Sequence, residues 1–337
     1  MKIAHARELH APAGAPFRLF AALDPAGARW IDLEPTRRRL ARRDERLTHN
    51  SVLFRQPVTT LDDHLARGMR VEALGELLDG FSPGDEDDVV SDATDLRFGP
   101  PILRPTSLRD FYAFERHVGT MWSRRGSEIP EAWYRLPIFY FSNVTEVRGP
   151  GDPVWAPLGS VELDYELEIA ALIDTPVRDI SAERGEEAIG GYMVMNDWSA
   201  RDLQREETTV RLGPAKGKDF ATSLGPWLVT PDELADARST KGFELTGTAE
   251  VNGQELSRAQ WSSIAFDFGQ MIERASADAR LVPGDVLGSG TMGGGCLLEI
   301  RDESGFGRYL EPGDRVSLQV ERLGRLDTQV VQRATAG

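Results

Sequence analysis

Val161-Glu162-Leu163-Asp164-Tyr165-Glu166-Leu167-Glu168-Ile169 alternates apolar and acidic residues without a break. A period of two predicts a β-strand, with Val161, Leu163, Tyr165, Leu167 and Ile169 on one face and Glu162, Asp164, Glu166 and Glu168 on the other. Same-face neighbours on a strand stand about 7 Å apart, so these carboxylates repel one another unless water or a cation screens them. The acidic face is therefore either solvated, as on many antiparallel strands, or a source of oxygen ligands for a hard divalent cation. The rest of the chain has to decide between the two.

That chain has 337 residues, enough for a large core and for two domains. With 40% apolar and 8% aromatic residues it reads as globular. A formal net charge of −15 argues against nucleic acid and anionic lipid as partners. Cys296 is the single cysteine, which excludes an intrachain disulfide and a cysteine metal site. Met1 to Glu8 carries no apolar signal core and no run of 18 apolar residues occurs, so a cytoplasmic location with no membrane partner is expected.

Up to about residue 100 the polar residues form no concentrated constellation. Phe17 to Leu23 and Asp24 to Ile31 predict strand, turn and strand. Thr36 to Leu47 predicts an Arg-rich helix, and Thr60 caps a second one. Gly80 to Asp92 is acidic and turn-rich, suiting a linker or exposed loop. His5, His10, His49 and His64 read as surface or structural residues. Phe98-Gly99-Pro100-Pro101-Ile102 marks the entry to a second unit.

Ser107-Leu108-Arg109-Asp110 has the spacing of a capping box and predicts a helix to about Met121. On it Asp110 and His117 would share a face bordering Phe111, Phe114, Val118 and Met121. Taken singly, a helix histidine is ordinarily half-buried and a first-turn aspartate is a cap. Leu136 to Phe141 predicts a short buried strand holding Tyr140, followed by a turn at Gly149-Pro150-Gly151-Asp152. Gly190 to Asp197 predicts a strand running into a helix, Trp198 to Gln204. Asp197 sits at the junction, where it can cap or bind a cation, and Arg201 and Gln204 project from its side. Gly213 to Ser223 reads as an exposed loop without a phosphate-binding signature. Its Lys218 is either an ordinary loop lysine or the balance for an acidic cluster and a developing oxyanion. Asn252-Gly253 turns a hairpin, and Phe266 to Arg274 is a helix. The glycines of Gly288 to Gly295 let backbone amides approach a ligand, or form a plain loop. Leu297 to Ile300 reads as a strand carrying Glu299, and Arg315 to Val320 as the last strand.

Five pieces recur in a fixed order: Asp110-Phe111-Tyr112 with His117, Leu163-Asp164-Tyr165-Glu166-Leu167-Glu168, Met195-Asn196-Asp197-Trp198-Ser199-Ala200-Arg201-Asp202-Leu203-Gln204, Gly217-Lys218-Asp219-Phe220-Ala221-Thr222, and Ser289-Gly290-Thr291. The set resembles the fumarylacetoacetate hydrolase family over roughly residues 105 to 323. The resemblance implies a mostly β, α+β fold with a mixed, wrapped sheet. It also implies a smaller N-terminal domain over residues 1–100, a catalytic domain over 101–330, and a homodimer. It assigns Asp110, Glu166, Glu168 and Asp197 to a divalent cation (Mg²⁺, Mn²⁺ or Ca²⁺), with Lys218 and Thr222 beside it. Glu162 and Asp164 fall outside that set and go to charge tuning or solvent. His117 becomes the catalytic base and Glu299 the carboxylate that orients it. Tyr112, Arg124, Tyr140, Gln204 and Thr291 become substrate contacts, Arg124 being taken over the adjacent Arg125.

The implied reaction is hydrolytic C–C cleavage of a β-diketo acid resembling fumarylacetoacetate or an acylpyruvate, with Lys218 and Gln204 facing the oxyanion. Three departures bear on the substrate, one being the short loop after Thr291. Tyr140 is followed by Phe141-Ser142-Asn143 where the family has His-Gly-Arg, and Thr208 stands where it uses a tyrosine. Two rivals are a metal-dependent decarboxylase or isomerase of a 2-oxo acid on the same fold, and a non-catalytic cation-binding protein.

Overall fold

A computed structural model describes residues 1–12, 14–82 and 88–334. Its main body is a 12-stranded mixed sheet, α+β in character. The strand order is Val90–Asp92, Arg29–Asp32, Arg18–Ala22, Lys2–Glu8, Thr222–Val229, Ile189–Asp197, Leu167–Ile173, Asp285–Gly288, Ser107–Phe111 and Phe139–Ser142. Two short strands, Leu96–Phe98 and Val147–Arg148, pair off this path. Lys2 pairs with Val229 and Ile3 with Leu228, so the sheet runs across the boundary expected near residue 100.

Leu167–Ile173 explains the layering. All seven of its residues are buried, because both faces of this strand are covered. Ile169, Ala171 and Ile173 join a core with Ala249, Val251, Val316, Leu318 and Val320 of a four-stranded antiparallel sheet. Ala170 and Leu172 face a second core with Leu33, Leu40, Leu61 and Leu74, supplied by helices and helical turns of the first 80 residues.

Much of the local reading is found in place. Arg18–Ala22 and Arg29–Asp32 form the expected antiparallel pair. The Leu33–Arg43 helix follows, capped by Asp32. Thr60 caps Leu61–Ala66 through the Asp63 amide. Asn252 and Gly253, both at positive φ, turn the Thr246–Val251 and Gln254–Gln260 hairpin. Phe268–Ser276 begins with a capping box of Asp267 and Gln270. His5 is structural, bonding the Pro100 carbonyl and the Leu61 amide. Among the described residues no helix is long and apolar enough to cross a membrane.

Several expectations are corrected. The alternating stretch is two strands: Leu163–Asp164 pairs with Ser199–Ala200, and a new strand starts at Leu167. Between them the Glu166 amide bonds the Asn196 side chain instead of a ladder carbonyl. Ser107–Phe111 is a strand, not the start of a helix. The Ser107 hydroxyl donates to Asp285 (2.6 Å), and the strand is paired on both sides. The helix runs only over Glu115–Ser123, so Asp110 and His117 share no helix face. Phe139–Ser142 is an edge strand with Phe141 63% exposed, not a buried one. The helix after Asp197 begins at Arg201 and ends at Glu207. Leu297–Ile300 is a helical turn, and Arg315–Val320 is followed by a further strand, Gly324–Gln329. Within Gly80 to Asp92, residues 83–87 lie outside the described residues, and Val90–Asp92 is a strand paired with Arg29–Asp32.

The Ala182–Gly185 and Phe268–Ser276 helices cross backbone to backbone. A Cβ on Gly269 would lie 2.3 Å from the Ala182 carbonyl oxygen, with no flexible side chain there to yield. Gly269→Ala is expected to lower stability by about 1–3 kcal/mol, the usual cost of overpacking, read as a lower urea midpoint with an unchanged slope.

Candidate active site

The ends of the paired strands open into a cavity of about 570 Å³. Asp110 and Glu168 line it from two strands, and Asp197 converges on them from a third. One carboxylate oxygen from each lies within 4.8 Å of the others, and the three side chains are at most 3% exposed. Gly288 lets them converge: a Cβ there would sit 2.5 Å from Asp110 Oδ1. Burial, and then the Asp197 charge, push the Asp110 carboxyl well above the usual carboxylate range. Burial and the Asp110 charge do the same to Glu168. Glu168 Oε2 and Asp197 Oδ1 are buried without a hydrogen-bond partner. Orphaned, converging carboxylate oxygens of this kind fit a hard divalent cation such as Mg²⁺, Mn²⁺ or Ca²⁺.

Glu166 stands beside this trio, tied to it by a lysine. Lys218 Nζ donates to both Glu166 Oε2 and Asp197 Oδ2, and Arg201 Nη2 donates to Glu166 Oε1 at 2.7 Å. Burial opposes charge on Glu166, but Lys218 and Arg201 outweigh it and hold the carboxyl well below the usual range. Lys218 is likewise buried, and Asp197 and Glu166 keep its ammonium protonated above the ordinary lysine range. Thr222 pairs with Asp197 in the ladder and is buried beneath the cluster.

On the adjoining wall His117 Nδ1 lies 2.8 Å from Glu299 Oε2. A carboxylate can only accept, so Nδ1 carries the proton and Nε2 is left as a base. The Gly294 amide donates to Glu299 Oε1 at 3.1 Å. Burial pushes Glu299 up, but His117 and this amide bring it below its ordinary value and keep it ionised. The Tyr112 ring meets the imidazole edge-on at 5.4 Å. The glycine-rich run thus brings its amides to two site carboxylates, since Gly290 N–H also donates to Asp110 Oδ1.

Of the expected substrate contacts, Tyr112, Arg124, Tyr140, Gln204 and Thr291 all line the cavity, as do Arg125 and Thr208. Two of them bond the cluster directly: the Tyr140 hydroxyl donates to Asp197 and that of Thr291 to Glu168 (3.4 Å). Gln204 Oε1 accepts from Arg201 (3.0 Å), which leaves its amide nitrogen free to donate to a ligand. Arg124 reaches the Glu299 carbonyl at 3.4 Å, and Arg125 lies over the Trp122 ring. Glu162 pairs with Arg205 at the rim. Asp164, left to charge tuning or solvent at the outset, is fully buried and bonds Arg201. Its signal was there to read, an inward acid two residues before Glu166 with an arginine four residues after Asp197.

Residues 106–331 match the family model "Fumarylacetoacetate (FAA) hydrolase C-terminal". A 2,4-didehydro-3-deoxy-L-rhamnonate hydrolase from Sphingomonas sp. (strain SKA58) is 31% identical over 194 residues, covering 58% of this chain and 65% of that protein. A Bos taurus fumarylacetoacetase is 29% identical over 241 residues, covering 57% of each. The chain thus spans less than two thirds of the length of these two relatives. A crystal structure titled 5-carboxymethyl-2-hydroxymuconate delta-isomerase, from Mycobacterium smegmatis, superposes with a TM-score of 0.63 at 25% identity. It covers 99% of this chain and 100% of its own. Both hydrolases and an isomerase therefore stand among its relatives. With the match running through every strand that carries a site carboxylate, the chain belongs to the fumarylacetoacetate hydrolase family.

Proposed function

We propose that this protein is a divalent-metal-dependent hydrolase cleaving a C–C bond in a β-diketo acid, of the fumarylacetoacetate or acylpyruvate type. The observation that carries this reading is the His117–Glu299 pair, whose imidazole lines the same cavity as Asp110, Glu166 and Glu168. Asp110, Glu168 and Asp197, with Glu166 beside them, would hold the cation. When bound, it supplies Lewis-acid stabilisation to the 1,3-dioxygen group and to the enolate that leaves.

The chain's own residues do the rest. His117 Nε2 takes a proton from water, and Glu299 steadies the imidazolium that results. The water oxygen adds to the carbonyl carbon. Lys218 and the Gln204 amide face the oxyanion so formed. As the carbonyl re-forms, the C–C bond breaks, its electron pair stays on the departing carbon as an enolate, and the proton held by His117 returns to that carbon. The products are a carboxylic acid and a ketone-bearing acid. The altered residues after Tyr140, and Thr208 in place of a tyrosine, favour an acyl group other than that of fumarylacetoacetate.

The second reading is an isomerase or decarboxylase, favoured by the isomerase among the structural relatives. It has no use for an imidazole activating water. Turnover of an acylpyruvate panel in ¹⁸O-labelled water separates the two, since only hydrolysis places solvent oxygen in a new carboxylate.

His117→Ala is expected to lower kcat by about 10²–10⁴-fold while Mn²⁺ affinity stays unchanged. Parallel loss of metal and turnover would contradict the assignment.

A pH dependence follows from the raised carboxyls. The native-state values of Asp110 and Glu168 lie above their unfolded ones. Without metal, their contribution to stability is fully present below the unfolded value near about pH 4 and is lost as pH rises through the native values. Metal binding requires the deprotonated ligands. The thermal shift produced by saturating Mn²⁺ should therefore increase from about pH 5 to about pH 8, as differential scanning fluorimetry would show.

A further inference from the structure

We propose that Asp164 is a positioning residue that braces the catalytic dyad against the carboxylate cluster; the catalytic part of this rests on the hydrolase reading above. Asp164 has no exposed surface, yet it does not enter the cation cluster. Its two oxygens accept from three donors. Arg201 Nε donates to Oδ2 at 2.8 Å, the Leu297 amide to Oδ1 at 2.8 Å, and the Leu298 amide to Oδ2 at 2.9 Å.

Each donor leads somewhere. Arg201 passes its other nitrogens to Glu166 and Gln204, on the cation and substrate side. Leu297 and Leu298 are the first residues of the Leu297–Ile300 turn, which carries Glu299 and through it His117. That turn is four residues long, and its own cap residue, Cys296, makes no capping bond. A single helical turn is not held by its internal hydrogen bonds. Its free amides are secured from outside, by a carboxylate two residues before Glu166. The separation between His117 and the carboxylates is thus set through one buried side chain.

The test uses the whole protein. Wild type, Asp164→Asn, His117→Ala and the double variant are compared for thermal melting, Mn²⁺ affinity, kcat and KM on the acylpyruvate panel. Asp164→Asn keeps the shape but faces at least one of the three donors with an amide NH₂. It should fold, bind Mn²⁺ as wild type does, and lose kcat on the order of 10²-fold with little change in KM, the scale expected of a small misplacement of a base. A merely structural role would not produce non-additivity: the double variant should be no slower than His117→Ala alone, because Asp164 acts through His117. A wild-type kcat in Asp164→Asn, or losses that multiply in the double variant, would overturn the brace while leaving the hydrolase reading intact.

Amide hydrogen exchange on the wild type gives a second arm, independent of activity and of whether the variant folds. The Leu297 and Leu298 amides should exchange slowly, and unprotected amides there would overturn the brace. A wild type that turns over no diketo acid would overturn the hydrolase reading, and exchange would still decide whether Asp164 holds the turn.

Discussion

Three carboxylates forced together out of water are the constraint around which this structure is built. At separations under 4.8 Å and an effective dielectric of about 20, each ionised pair repels by a few kcal/mol. No folding chain collects Asp110, Glu168 and Asp197 without a counterweight. Part of it is Lys218, which reaches Asp197 and Glu166, and Arg201, which reaches Glu166, both buried. Glu168 Oε2 and Asp197 Oδ1 still lack a partner, and a divalent cation would supply the remainder. Burying these charges costs stability, and the large double-sided core around the central strand offsets it.

Rigidity is the counterpart of that cost. Asp110, Glu168 and Asp197 all stand on strands paired on both sides, and Gly288 removes the one Cβ that would keep Asp110 away. The glycine-rich run then does for the carboxylates what side chains cannot. Its amides reach Asp110 and Glu299 directly, fixing their orientation at close range. A site that depends on sub-ångström placement has thus been put on the least deformable part of the fold.

Much of this was legible in the sequence, and the failures share a cause. The period-two stretch, the Asn-Gly hairpin and the capped helices announce themselves by local rules. Many residues of the ordered motifs line one cavity, while Asp197, Thr222 and Glu299 do not. Ser107-Leu108-Arg109-Asp110 obeys the capping rule equally well, yet is a strand, because Asp285 and two flanking strands compete for the same groups. Leu297 to Ile300 looks like a strand, yet turns into helix because Asp164, over a hundred residues earlier, bonds its amides. In both places a partner distant in the chain overrides a local preference. The alternation that revealed the acidic face also hid a distinction within it, since it makes Glu162, Asp164, Glu166 and Glu168 look equivalent. Their surroundings give them four different neighbours: a rim arginine, a bracing arginine, a lysine bridge and a carboxylate cluster.

The carboxylates sit on strands held from both sides, but Ile138, Phe139 and Tyr140 line the same cavity from the sheet's last strand and its approach, which has a neighbour on one side only. Mutations there disturb a single ladder, whereas mutations under the carboxylate cluster disturb two. The cavity wall on this edge strand can therefore change at less cost to the fold than the carboxylate-bearing strands.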